Sequence, residues 1–393
     1  MIIGRGRRKR FTSNVPFVVL FIIMIIVLLV SSLAVSRLRH PLETLPSPRS
    51  FDGQAELEVW NFTSHHMVNK AGAIEQTASY YRNKSKNITS LSESIGLLLD
   101  YSILSHDHKL FVQQEQVVKQ SFMLDQGISW RVMDGERSPV NSTIDDLRII
   151  AALTRGSGQF HDPSALHFAK ILATGLLTHD ATSTGWLLDY SSLTSIAHQQ
   201  SPWLAVWYWN LANVRTLSKL NKKYLPILLH EREALAHATN HVGLYALFYN
   251  PDTHTYRFPS SNRLNMDDEL LTALHAQSCG LPTKKFRNHL AILLDKSTLI
   301  PAEVSEDWTI KSSVQSPAIY ALAIRLFYRA GDDDDAIRCL HLLLDMQVQK
   351  KGDLGGYDYS IYGAFAMKPY SPIFSFDQLE SLLSLRQVMR SFL

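Results

Sequence analysis

The chain has 393 residues, 39 Lys and Arg against 36 Asp and Glu, and two cysteines. Five of the basic residues, Arg5, Arg7, Arg8, Lys9 and Arg10, precede residue 16 with no acidic residue among them, so the remainder holds 34 basic against 36 acidic side chains. A remainder near −2 excludes the polycationic surface that nucleic acid requires, and Cys279 and Cys339, far apart in apolar helical contexts, exclude a disulfide framework and predict two buried thiols.

The first predicted element is the uncharged apolar run 16–35, PFVVLFIIMIIVLLVSSLAV. At about 1.5 Å rise per residue, about twenty such residues span a hydrocarbon core of about 30 Å. The basic residues before it hold the segment 1–15 on the cytoplasmic side, which sends everything after residue 35 outward. The same arginines also offer a contact for anionic lipid. A cleaved signal peptide ending at Ser32-Leu33-Ala34 is the rival reading, but its apolar region would exceed the usual span of about 7–15 residues. A linker over 36–58 then leads to a domain over 59–393. Four N-x-S/T sequons, at Asn61, Asn83, Asn87 and Asn141, matter only in a host that glycosylates.

The domain is rich in helical periodicity and poor in alternation. Helices are predicted near 63–82, 92–105, 109–124, 143–155, 163–178, 202–218, 221–237, 266–279, 284–297, 316–330, 333–349 and 375–391. Asp162-Pro163 supplies an N-cap followed by proline, and Gly331 closes one helix before Asp332 to Asp335 open the next. Ile319, Leu322, Ala323, Leu326 and Phe327 make a core stripe, and Asn250-Pro251-Asp252 predicts a hairpin turn within 247–258. No exact repeat of about 20–50 residues is visible, which disfavours a regular solenoid. Paired helices in this number suggest a closed toroid of six helical hairpins with its longer loops gathered at one end. Those loops hold Trp130, Trp186, Tyr190, Tyr256, Trp308, Tyr357 and Tyr359 together with carboxylates, the composition of a groove for a sugar polymer.

Two segments place acids at helix starts: Ser92-Glu93-Ser94-Ile95-Gly96 and Ser142-Thr143-Ile144-Asp145-Asp146-Leu147, the second following Trp130-Arg131. Here the sequence resembles glycoside hydrolase family 8. That family reads Ser-Glu-Gly-Gln-x-Tyr-Gly-Met at its acid, then Ala-Trp-Arg-Trp, then Ala-Thr-Asp-Ala-Asp-Leu-Asp-Ile-Ala. Ser92-Glu93…Gly96, Ser129-Trp130-Arg131-Val132 and Ser142 to Ile149 stand in the same order, and Phe374-Ser375-Phe376-Asp377-Gln378-Leu379 is similar to Tyr-Ser-Phe-Asp-Asn-Leu.

The resemblance implies an all-α (α/α)6 barrel and inverting cleavage of a β-linked exopolysaccharide or cell-surface glycan, with no cofactor and no metal. Glu93 becomes the general acid. Asp145 or Asp146 becomes a binder of the reacting sugar, with Trp130, Arg131 and Tyr190 lining its surroundings. The chain departs from the family at Ile95, Leu97 and Ile144, and lacks the Tyr-Asp-Ala-x-Arg-x-Pro-Trp segment that holds the base. Asp267 or Asp268, at another helix start, is the expected base, ahead of Asp252 in the hairpin. A catalytically inactive glycan-binding component of a polysaccharide synthesis or export system is the alternative. His237 and His241 have zinc-like spacing without the accompanying Glu, and no phosphate loop or nucleophile elbow is present.

Overall fold

A computed structural model describes residues 45, 48, 50–78, 87–195, 201–259, 261–297, 299–349, 361–366 and 372–392. The expected membrane segment 16–35, the basic segment before it, Asn83, Tyr357 and Tyr359 lie outside these residues. Among the described residues, no helix is long and apolar enough to cross a membrane.

Twelve α-helices lie within the described residues: α1 Gln54–His66, α2 Ser92–Leu104, α3 His108–Val117, α4 Thr143–Phe160, α5 Pro163–Asp180, α6 Leu211–Leu220, α7 Tyr224–Ala236, α8 Met266–Ser278, α9 Lys284–Ser297, α10 Pro317–Ala330, α11 Asp333–Leu344 and α12 Ser375–Phe392. The even-numbered helices close a ring. Each packs on the next, and α12 returns to α2. Helices α1, α3, α5, α7 and α11 pack outside it, on α12, α2, α4, α6 and α10. Helix α9 joins this outer layer through Phe286, which packs on Tyr245 and Trp308.

Sequence explains the two layers. Inner α10 buries every residue from Pro317 to Ile324, as a helix walled on all sides must. Outer α9 buries only Phe286, Leu290, Leu293 and Leu294, a single stripe. Asp162 caps α5 by accepting from the Ser164 and Ala165 amides, and Gly331 closes α10 in the left-handed region at φ 77°.

Three predicted helices are corrected. The helix expected over 63–82 is α1, which opens at Gln54, inside the stretch read as linker, and stops at His66. Asn69 then accepts from the Ala71 and Ala73 amides, Gly72 takes φ 78°, and Val68 bridges Ile74, so turn chemistry outcompetes the apolar periodicity. The helix expected over 202–218 is a short strand, Leu204–Ala205, a 3-10 turn, Val206–Tyr208, and α6. The strand pairs with Phe248–Asn250 of the expected hairpin, whose second arm is Thr255–Arg257. The helix expected over 109–124 ends at Val117 and runs into a π-helical turn, Val118–Phe122.

The Val68 turn recurs. In the bridges Ala181↔Leu187, Thr239↔Tyr245 and Val304↔Ile310, as in Val68↔Ile74, an Asn, Thr or Ser carbonyl accepts from the amide three residues on. That later residue is Gly72, Gly185, Gly243 or Trp308, each at positive φ. The internal repeat is therefore a turn of a few residues. Trp308 tolerates the glycine position because it is held between Phe286 and His289.

Candidate active site

The N-termini of α2, α4, α8 and α12 carry Glu93, Asp145 with Asp146, Asp267 with Asp268, and Asp377. Three of these acids, Glu93, Asp267 and Asp377, line one cavity of about 530 Å³, together with Leu91, Glu303, Phe374 and Phe376.

Glu93 is placed by the strand before it. Thr89–Leu91 pairs antiparallel with Arg131–Met133, Leu91 opposite Arg131, and the Ser92 amide donates to the Trp130 carbonyl at 3.0 Å. Ser92 Oγ then donates to Asp145 Oδ2 at 2.9 Å, and Arg148 Nη1 lies 3.2 Å from Asp145 Oδ1. Arg148 reaches this position because residue 96 is glycine: a Cβ there would stand 2.8 Å from Arg148 Cδ. Burial, then the Asp145 charge, pushes the Glu93 carboxyl up to about 8, against the downward pull of Arg148. Burial raises Asp145 too, but Arg148, Ser92 and Ser142 all favour its charged form. Glu93 has no comparable donor set, so the pair favours the proton on Glu93.

The adjacent acids of α4 and α8 are split by the helix, where neighbours point about 100° apart. Asp146 turns into a buried cluster. Asn141 Nδ2 donates to Asp146 Oδ2 at 2.9 Å and to Asp180 Oδ2 at 2.7 Å, and Asn141 Oδ1 accepts from the Ser191 amide. Burial, then Asp180, raises Asp146 well above the usual range. Asn141 is 2% exposed, so this sequon is closed to a glycan. On α8, Asp267 faces the cavity, and its buried Oδ1 has no hydrogen-bond partner. Burial raises it strongly, with Asp377, Asp268, Glu380 and Glu93 adding repulsion. Asp268 is outside the cavity lining and is raised to about 7 by burial alone.

The remaining cavity acids are engaged. Asp377 Oδ1 accepts from Ser316 Oγ at 2.7 Å and from the Ala318 amide at 3.0 Å, which ties α12 to the start of α10. Glu303 pairs with Arg263 at the surface. Asp252 is exposed at the hairpin tip.

Trp130 is half-buried, its indole N–H donating to Ser138 Oγ at 2.9 Å, and the Arg131 guanidinium lies 4.8 Å over its ring. Tyr190 is 48% exposed in the loop whose Asp189 carbonyl accepts from the Thr143 amide at the start of α4, so its ring is free to stack. Two aromatic residues expected in the groove belong to the core instead. Trp186 packs on Trp209, His230 and Tyr249, and Trp308 on Phe286 and His289. Both cysteines are buried free thiols.

Sequence reasoning missed Arg148 and Tyr208. Tyr208 is felt by Ser142, Asp145 and Glu93, and burial lifts its hydroxyl to about 12. Helical periodicity over 202–218 puts Tyr208 mid-helix, whereas it ends the 3-10 turn Val206–Tyr208. The only available signal for Arg148 was a cation three residues after an acid, on an otherwise apolar helix.

Comparison with known proteins bears on the fold. No family model matches the chain. "Putative lipoprotein YdaJ" of Bacillus subtilis (strain 168) is 22% identical over 308 residues, 75% of this chain and 80% of that one. A novel alpha-amylase from Clostridium perfringens superposes with a TM-score of 0.75 at 22% identity, over 87% of this chain and 100% of its own. PssZ from Listeria monocytogenes gives a TM-score of 0.66 at 20% identity, over 88% and 98%. Endoglucanase Cel10 from Klebsiella pneumoniae, a family 8 glycosyl hydrolase, gives 0.59 at 12% identity, over 85% and 99%. The expected family likeness therefore holds at the level of architecture: the chain has the (α/α)6 fold of the family 8 glycoside hydrolases in a divergent form.

Proposed function

We propose that the chain is a membrane-anchored, extracellular glycosidase that cleaves a β-linked exopolysaccharide or cell-surface glycan with inversion. The observation that carries this reading is the pairing of a proton-holding Glu93 with an unpartnered Asp267 in one cavity. Glu93 donates its proton to the glycosidic oxygen as the C1–O bond breaks. Asp267 accepts a proton from a water whose oxygen bonds C1 from the opposite face. Asp145, held beside Glu93 by Ser92 and Arg148, is the proposed binder of the reacting sugar, and Trp130, Arg131 and Tyr190, none of which lines the cavity itself, are assigned to neighbouring subsites. Similarity to proteins described as an alpha-amylase and an endoglucanase supports the reaction class, and the β-linkage rests on the family resemblance alone. The name of the Bacillus relative supports membrane attachment, for which residues 16–35 are the tether.

One observation favours the alternative of an inactive glycan-binding component. Asp267 is itself pushed toward its protonated form by burial and by Asp377, whereas a base must be charged. Release of reducing ends from β-glucans, chitosan and xylan by the full-length chain decides between them. Hydrolysis by the wild type that Glu93→Gln lowers by at least about 10²-fold, with glycan binding retained, supports the enzyme. Binding by both proteins without release by either replaces it with the binding component.

A further inference from the structure

A second cavity, of about 320 Å³, is lined by all six inner helices. Its volume is at the small end of ligand pockets, about 300–1,000 Å³. Four guanidiniums border it, Arg148, Arg155, Arg325 and Arg329, against two carboxylates, Asp100 and Glu380. Arg148 pairs with Asp145, Arg155 with Asp100, and Arg325 with Glu380. Arg329 is exposed and feels the charges of Glu380 and Asp100, with no ion pair within 4 Å among the described residues. Arg325 Nε is buried with no acceptor. The cavity wall therefore has one buried guanidinium N–H to spare, Arg325 Nε, with the exposed Arg329 beside it.

It also holds spare acceptors. His275 is 6% exposed, and its Nδ1 has no partner, while the ring is hydrogen-bonded to the Trp207 backbone. An imidazole that donates through one nitrogen presents the other as an acceptor. Gln387 Oε1 is likewise buried and unmatched. Buried polar atoms are normally satisfied, so unmatched donors and acceptors on one wall describe the ligand that completes them.

We propose that this cavity binds a small hydroxylated oxyanion, either hydrogen phosphate or a sugar acid. Charged oxygens meet Arg329 and the Arg325 Nε, and a ligand hydroxyl donates to His275 Nδ1 or Gln387 Oε1. The site is separate from the carboxylate cavity and stands whether or not that cavity hydrolyses glycans. The two cavities have no lining residue in common, and Arg148, which borders this one, reaches the other only through its pairing with Asp145.

The test is calorimetric titration of the full-length chain at pH 7 with inorganic phosphate, D-glucuronate and sulfate. Saturable binding of phosphate or glucuronate is expected, and whichever binds identifies the source of the oxyanion. Arg329→Gln should weaken binding about tenfold, the value of one charge-assisted contact, and Arg329→Lys should restore part of that loss. Gln387→Leu should weaken phosphate or glucuronate while leaving sulfate unchanged. No binding of either ligand, or binding that Arg329→Gln leaves intact while the variant unfolds at the wild-type temperature, overturns the site. Sulfate binding as tightly as phosphate overturns the role given to the two acceptors.

Discussion

Replacing Glu93 by glutamine should stabilise the chain, by an amount that grows as pH rises from 4.5 to about 8. In the unfolded chain Glu93 ionises near its ordinary 4.5; in the folded chain burial and Asp145 move this to about 8. Below 4.5 both states hold the proton and the group costs nothing. Between 4.5 and about 8 the folded chain keeps a proton that the unfolded chain has released, so stability falls as pH rises. At 1.36 kcal/mol per pH unit the full span is roughly 4–5 kcal/mol. The carboxyl borders an open cavity, and solvent screening reduces this to about 2 kcal/mol. Glutamine never ionises, so Glu93→Gln should match the wild type at pH 4 and exceed it by about 2 kcal/mol at pH 9. Urea denaturation of both proteins at intervals from pH 4 to 9 measures the difference, in which every other titrating group is common to both. Two parallel curves would mean that Glu93 is hydrated and ordinary, and the acid assignment would lose its physical basis.

Other substitutions probe the scaffold around it. Gly96→Ala puts a methyl 2.8 Å from Arg148 Cδ; overpacking costs about 1–3 kcal/mol against a helix-propensity gain of about 1, so a net loss near 1 kcal/mol should appear in the urea midpoint, and a gain would show that Arg148 yields freely. Asn141→Ala strips the shared donor from Asp146 and Asp180. It should cost about 3 kcal/mol at pH 7, and a loss under about 1 would mean that the buried cluster finds other donors. On the proposed function, hydrolysis should decline as pH rises past about 8, because the acid must be protonated. Arg148→Met should move that decline to higher pH, since Arg148 holds the Glu93 value down, and an unmoved profile would assign the limb to another group.

What was legible in the sequence was whatever local chemistry decides. Asp162-Pro163 and Gly331 bracket helices that stand where expected, and the starts at Ser92 and Thr143 put Glu93 and Asp145 on inner helices. The region 63–82 failed because Asn69 and Gly72 outweigh an apolar stripe, a contest decided by two residues. Loop position misled for Trp186 and Trp308, since the loops between helices fold back onto the barrel and supply core. The choice between Asp145 and Asp146, or Asp267 and Asp268, was closed to the sequence. A rotation of about 100° separates neighbours, and only the packed ring says which direction is inward. The convergence of α2, α8 and α12 on one cavity is likewise a product of ring closure, between residues about 280 apart in the chain at Ser94 and Ser375.

The ring also sets two electrostatic effects against each other at the same atoms. A helix N-terminus carries roughly half a positive charge and favours a carboxylate by about 0.3–1 kcal/mol, up to about 2 when partly buried. The first turns of α2, α4, α8 and α12 each hold an acid, so each should be easier to ionise. Yet burial leads the causes at Glu93, Asp145, Asp267 and Asp377, and every one is raised. Desolvating a carboxylate costs several kcal/mol and outweighs one dipole. What distinguishes the four is the local donor set. Asp377 has a hydroxyl and an amide, and Asp145 has a hydroxyl and a guanidinium. Glu93 is left with the distant pull of Arg148, and Asp267 with an unmatched oxygen. The two acids the scaffold leaves unsatisfied both face the same cavity, where a bound sugar and a water can supply what they lack.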